Sequence, residues 1–285
     1  MRPAENSQKD RMGEIRVGVG GWTYAPWRGL FYPKEVTQKR ELEFASRHLS
    51  SIEIDGTYYG TQKRESFIRW REETPDDFVF SVKGPRFATN RRVLAEAGES
   101  VERFLASGLT ELREKLGPIL WQMLPTKKLV EEDFAAFIEL LPREHDGLAL
   151  RHAVELRHES FNCDETVAIA RKNGIAIGLA GDSKFPEIAA CTAPFVYLRL
   201  MGSKASPKQG YSKAALDFWA DRAKTLARGE TPHGFAPMVE TAKRAPRDVY
   251  VYFIAGHKAH NPAAAQALME RVKQRAPFET GAQNA

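Results

Sequence analysis

Short apolar runs recur along this chain, and several of them finish in charged residues. The pattern is plainest in Ser51–Asp55 (SIEID), Phe78–Lys83 (FVFSVK), Ala153–Arg157 (AVELR) and Phe195–Arg199 (FVYLR). Each reads as a buried β-strand, yet an unpaired charge in a core costs several kcal/mol, comparable with the whole stability margin of a domain. Runs rich in Val, Ile, Leu and Phe, bounded by Gly, Pro or charged turns, predict strands at 15–20, 51–55, 78–83, 118–123, 153–157, 175–180, 195–200 and 249–254. Amphipathic stretches at 38–48, 64–73, 99–115, 131–140, 164–173, 212–227 and 262–274 predict helices between them. The 131–140 stretch carries acids in its first turn, where the helix dipole favours them. Asn261-Pro262 has the form of an N-cap followed by proline at the first helical position. After the sixth strand, 182–194 leaves room for a short helix only. The Gly-, Ser- and Lys-rich stretch 200–211 reads as a mobile loop after the seventh.

Eight strands alternating with helices predict a single α/β domain, a (β/α)8 TIM-barrel-like fold over 15–275, with a doubly wound open sheet as the alternative. Polar segments at 1–14 and 276–285 read as disordered tails. The length of 285 residues, 42% of them hydrophobic, suits a barrel of about 250 residues. A net charge of +5 is compatible with an anionic ligand and does not by itself imply nucleic acid. Two cysteines, Cys163 and Cys191, offer no disulfide framework and no metal spacing. The N-terminus lacks an apolar secretory core and no apolar run reaches the length of a membrane span, so the cytoplasm is the expected compartment.

The motifs VGVGGWTYAPWRGLFYP (17–33), IEIDGTYYG (52–60), WREETPDDFVFSVKGPRFATN (70–90), KLGPILWQMLP (115–125), VELRHESF (154–161), FVYLRLMG (195–202) and VYVYFIAGHKAHNPAAAQAL (249–268) stand in fixed order. In these the chain resembles the DUF72 proteins, also called YecE-like, over about 16–273. The resemblance implies a TIM-barrel-like fold and implies no reaction. Two positions depart from it. Many members have Thr-His where this chain has Thr89-Asn90, and many place Asn or Asp after the last strand, where this chain has Ile254-Ala255-Gly256-His257. Family roles therefore do not transfer to Asn90, Ala255 or Gly256.

Reactive groups of an α/β barrel lie at the C-terminal ends of its strands. Side chains alternate, so Glu53 and Asp55 share one side of strand two, and Glu155 and Arg157 one side of strand five. With Lys83 and Arg199 they converge on one face, and Gln122, at the end of a buried strand, is expected to orient a ligand, a satisfied core amide being the alternative. A charge network that merely neutralises itself is the alternative. Lys83 is expected to hold an anion or to form a Schiff base, and Arg157 and Arg199 to grip a carboxylate or phosphate. Glu155 or Asp182 is the expected general acid or base, with Glu53 beside them. Trp22 and Tyr58 are the expected apolar wall, although the aromatics at 22–32 also suit a plug packing the barrel end. His158 reads as a loop histidine.

No cofactor is required by this reading. A divalent ion on Glu53, Asp55, Glu155 and Asp182 is the alternative. Gly18, Gly20 and Gly21 lack the G-x-G-x-x-G spacing, and P-loop, H-E-x-x-H and G-x-S-x-G motifs are missing. The expected function is acid/base chemistry on a small anionic molecule, as a hydrolase, lyase or isomerase. The alternatives are nucleic-acid binding, suggested by the Arg86–Arg92 segment and the lysines at 203–213, and a barrel that binds a metabolite without turnover.

Overall fold

The computed structural model describes residues 12–233 and 245–273. Eight parallel strands form the barrel: β1 Ile15–Gly20, β2 Ser51–Ile54, β3 Val79–Lys83, β4 Leu116–Gln122, β5 His152–Glu155, β6, β7 Phe195–Leu200 and β8 Asp248–Phe253. Strand β6 is in two pieces, Ala176–Ile177 and Leu179–Gly181. The first piece pairs with β5 and the second with β7. Gly178 between them bonds its amide to the Val154 carbonyl at 2.8 Å, so the two pieces act as one strand that closes the sheet on itself. The remaining neighbours run in order from β5 through β4, β3, β2, β1 and β8 to β7.

The helices are α1 Glu41–His48, α2 Gly56–Tyr59, α3 Arg64–Glu73, α4 Arg86–Thr89, α5 Gly98–Leu105, α6 Glu131–Glu139, α7 Asp164–Asn173, α8 Lys213–Ala227 and α9 Asn261–Lys273. The predicted helix over 99–115 is broken. It ends after α5, Gly108 turns the chain at φ 94, and a 3-10 segment Leu109–Lys115 follows. The stretch at 38–48 likewise starts as a 3-10 turn, Gln38–Arg40, before α1. No helix forms within 182–194. Asn261 is no N-cap: it is already helical at φ −57, and its amide donates to the carbonyls of Phe253 and Ala255. That side chain ties the end of β8 to α9.

Strand alternation divides the apolar residues in two. Val79, Leu120, Ala153, Ala176, Phe195, Tyr197, Tyr250 and Tyr252 fill the barrel interior. Their sequence neighbours, such as Phe80, Val154, Leu198 and Val251, join the layer packed against the helices. Side chains facing inward at one level therefore come from alternate positions on many strands. The Tyr252 hydroxyl, bonded to Ser51 at 2.7 Å and Ser81 at 2.6 Å, marks a middle level. One step toward the strand C-termini on the same faces come Glu53, Lys83, Gln122, Glu155 and Arg199.

The segment predicted as a mobile loop is tied down at several points. Lys204 donates its amide to the Gly210 carbonyl at 2.7 Å, Gly202 to the Tyr211 hydroxyl at 2.8 Å, and Ser203 Oγ donates to Asn261 Oδ1 at 2.6 Å. The aromatic plug is also real. Trp27 and Tyr32 are fully buried, with Trp27 Nε1 donating to the Lys258 carbonyl at 2.8 Å and the Tyr32 hydroxyl to the Trp22 carbonyl at 2.6 Å. Residues 1–11 and 274–285, most of the two expected tails, lie outside the described residues. Glu14, assigned to the first tail, is held by β8: its amide donates to Asp248 Oδ1 at 3.0 Å. Among the described residues no helix is long and apolar enough to cross a membrane.

The glycines of β1 permit close approaches within the barrel. A Cβ on Gly18 would land on the Ser51 carbonyl oxygen of β2, and one on Gly20 would meet Asp55 and Ile254. Gly18→Ala is accordingly expected to cost about 3 kcal/mol or more in urea unfolding, since the obstacle is backbone. A loss under about 0.5 kcal/mol would contradict that close approach.

Candidate active site at the strand ends

Arg199 is the centre of the charged layer. Its side chain is 1% exposed, and those of Glu53 and Glu155 are not exposed at all. Arg199 Nε and Nη2 grip Glu53 at 3.0 and 2.9 Å, and Nη1 donates to Glu155 Oε2. The Tyr197 hydroxyl, two residues back on the same face, donates to Glu53 Oε2 at 2.7 Å. Arg157 Nε and Gln122 Nε2 (3.0 Å) both donate to Glu155 Oε1. Gln122 Oε1 then accepts from Lys83 Nζ at 3.3 Å, and Lys83 faces Asp55 Oδ1 at 3.5 Å. Three cations therefore meet three carboxylates, and the layer is charge-balanced.

The balance is uneven in depth. Glu53, Glu155 and Arg199 are sealed, whereas Asp55 is 31% and Arg157 19% exposed at the side chain. Lys83 lies just below them, covered by the ring of Tyr58 at 4.4 Å. Arg157 spreads its guanidinium over Phe185 at 4.4 Å. The mouth is thus lined by Asp55 and Arg157 with Lys83 just beneath, while Arg199 is spent on the two glutamates.

Electrostatics follow from that depth. Burial pushes Glu53 above the ordinary carboxylate range, with Asp55 adding to the rise and Arg199 opposing it. Burial would raise Glu155 too, but the guanidiniums of Arg199 and Arg157 outweigh it and hold the carboxyl at about 2. Lys83 is lowered, first by burial and next by the Arg199 charge, against the pull of Glu53, Asp55 and Glu155.

Several expectations change. Asp182, at the end of β6, does not join the cluster. Its φ of 54 turns it away, and its Oδ2 accepts from Trp219 Nε1 at 2.8 Å, fastening β6 to α8. Glu155 is inside the cluster but ion-paired on both oxygens, which suits a scaffold better than a proton acceptor at neutral pH. Arg199, expected to grip a ligand, grips glutamates instead. His158 caps the turn Glu159–Phe161 by accepting from the Ser160 amide at 3.1 Å. Among the described residues no group of three or more His, Cys, Asp or Glu is arranged to hold a metal ion, and the loss of Asp182 breaks up the carboxylate set considered for one.

Trp22 and Tyr58 do border the mouth. Trp22 packs edge-on to Trp70 at 5.2 Å and helps line a cleft of about 340 Å³. Asp55, Tyr59, Gln62, Trp70 and Lys258 share that lining. Tyr197 was the missed member of the charged layer, and its signal was its place two residues before Arg199. Tyr59, Trp70 and Lys258 come from three separate segments, and nothing local marks them as neighbours.

Fold and site together define an α/β-barrel protein with a buried, charge-balanced layer below a polar mouth. The chain belongs to the family described as "Protein of unknown function DUF72", whose model matches residues 16–284. It is 31% identical to the UPF0759 protein YecE of Escherichia coli (strain K12) over 149 residues, 52% of this chain and 50% of that one. The match thus spans about half the length of that relative. A DUF72 family protein from Thermotoga maritima superposes with a TM-score of 0.69 at 21% identity, covering 92% of this chain and all of the other. A D-psicose 3-epimerase superposes at 0.50 with 11% identity, covering 90% of this chain and 96% of that one, and shares the fold alone.

The Glu155 carboxyl has a definite pH signature. Its folded value of about 2 lies below the ordinary 4.5, so its stabilisation is complete above pH 4.5 and is lost as pH falls toward 2. Glu155→Gln, which mimics the protonated acid, is expected to be less stable than wild type by about 3 kcal/mol near pH 6. That gap should close in urea titrations run at progressively lower pH. A gap that stays constant below pH 4.5 would contradict this account of the carboxyl.

Proposed function

We propose that the strand ends form the active site of an enzyme that performs acid/base chemistry on a small phosphorylated or carboxylated molecule. The observation that supports it is the division of the charged layer. Glu53, Glu155 and Arg199 satisfy one another out of solvent, Asp55 and Arg157 stand at the opening, and Lys83 lies just beneath them. Arg157 uses Nε on Glu155 and is the group suited to take the anion with its terminal amines. Lys83 and Asp55, 3.5 Å apart, are suited to pass a proton, in place of Glu155 or Asp182. Glu155 and Gln122 orient Arg157 and Lys83. The cleft beside Asp55, walled by Trp22, Trp70 and Tyr59, takes the body of the substrate. The free thiols of Cys163 and Cys191 fit a reducing cytoplasm.

One surface feature favours a second reading, a single-stranded nucleic acid. Tyr59 and Phe87 are 63% and 58% exposed, and the Arg86 guanidinium lies within 5.9 and 5.5 Å of their rings. Bases stack on such platforms.

A thermal-shift and calorimetry panel of phosphate, sugar phosphates, small carboxylates and short oligonucleotides separates the readings. A small anion is expected to stabilise the fold, and Arg157→Ala to weaken it about 10- to 100-fold, the loss of a charged hydrogen bond. Asp55→Asn should keep binding and lower turnover by about 10²- to 10⁴-fold. Binding without turnover would leave a metabolite-binding barrel. Oligonucleotide affinity that falls steeply with salt, with no small-anion response, would replace the reading with the second.

A further inference from the structure

We propose that Lys83 is an imine-forming lysine, and that the anion taken at the strand ends carries an aldehyde or ketone carbon within its reach. This rests on the anion-binding reading above and names a substrate class within it.

Two lysines are buried among the described residues, Lys83 and Lys115, and their surroundings differ. Lys115 Nζ donates to the carbonyls of Arg71 at 2.7 Å and Thr74 at 2.8 Å, the bonding of a structural ammonium. Lys83 Nζ has longer contacts only, 3.3 Å to Gln122 Oε1 and 3.5 Å to Asp55 Oδ1, with the face of Tyr58 above it. Lys115 is thus anchored, whereas Lys83 keeps bonding capacity at the functional end of the barrel. Its position is also costly for a cation. The sealed Arg199 guanidinium belongs to the same layer, and both it and burial favour the neutral amine. Asp55 and Tyr58 pull the other way and keep the side chain in place. A nucleophilic lysine needs a free amine, a nearby group to move protons, and shielding from water. Lys83, Asp55 and Tyr58 supply these three.

The step balances without a further reactant. The neutral Lys83 nitrogen forms a bond to the carbonyl carbon, and the C=O π pair moves to oxygen. Proton transfers through Asp55 take two protons from nitrogen to that oxygen. The C–O bond then breaks, water leaves, and a C=N bond remains. The imine nitrogen then takes up one proton from solvent, relayed by Asp55, and the resulting iminium withdraws electrons from the adjacent carbon, which points to lyase or isomerase chemistry and away from hydrolysis.

Reductive trapping tests this. The full chain would be incubated at pH 7 with pyruvate, glyoxylate or glycolaldehyde phosphate and cyanoborohydride, then read by intact mass and peptide mapping. One adduct per chain is expected, on Lys83, formed before any other lysine is labelled. Lys83→Arg, checked for folding by its melting temperature, should lose that adduct. If a small anion stabilises the fold while adducts are spread over exposed lysines and spare Lys83, the imine is wrong and the anion site stands. If no anion stabilises the fold and Lys83 is unlabelled, both readings fall.

Discussion

A guanidinium sealed between two carboxylates is the interaction on which this mouth depends. Arg199 on β7 bridges Glu53 on β2 and Glu155 on β5, with all three groups out of solvent. Any one of them alone would be too costly to bury. Together they satisfy one another, and Tyr197, Gln122 and Arg157 take up the remaining oxygen sites. Breaking such a cluster by removing one partner costs about 3–5 kcal/mol. The layer therefore fixes the geometry of everything above it.

What stands above is a small set of groups whose charge is not fully consumed. Gln122 links the sealed layer to the rim, accepting from Lys83 and donating to Glu155. Lys83 feels the loss of water and the buried positive charge, and both lower its basicity. Arg157 is held by one nitrogen, and its side chain is partly exposed. The same constraint that stabilises the barrel thus sets the charges at the rim, and the two roles are divided by depth.

Much of this was legible in the chain. Alternation in SIEID, FVFSVK, AVELR and FVYLR placed Glu53, Lys83, Glu155 and Arg199 on inward faces, and the cost of burying them demanded that they meet. Eight apolar runs marked the barrel, including a sixth that Gly178 divides in two. The partners were not legible. Asp182 has the same sequence appearance as the others, but a left-handed backbone turns it toward Trp219, and no local pattern encodes that φ. Glu155 and Arg199 looked reactive because charge at a strand end marks function and pairing alike. Only the three-dimensional contacts distinguish them. The break in 99–115 and the helical state of Asn261 were set by tertiary bonding, which outweighs local propensity.

The most direct test is a crystal structure of the protein with a small carboxylate or phosphate bound. The account predicts the anion at the mouth, within hydrogen-bond distance of Arg157 and Lys83, with Arg199 still bonded to Glu53 and Glu155. An anion bound to Arg199, with either glutamate released from it, would contradict the division between a sealed layer and a working rim.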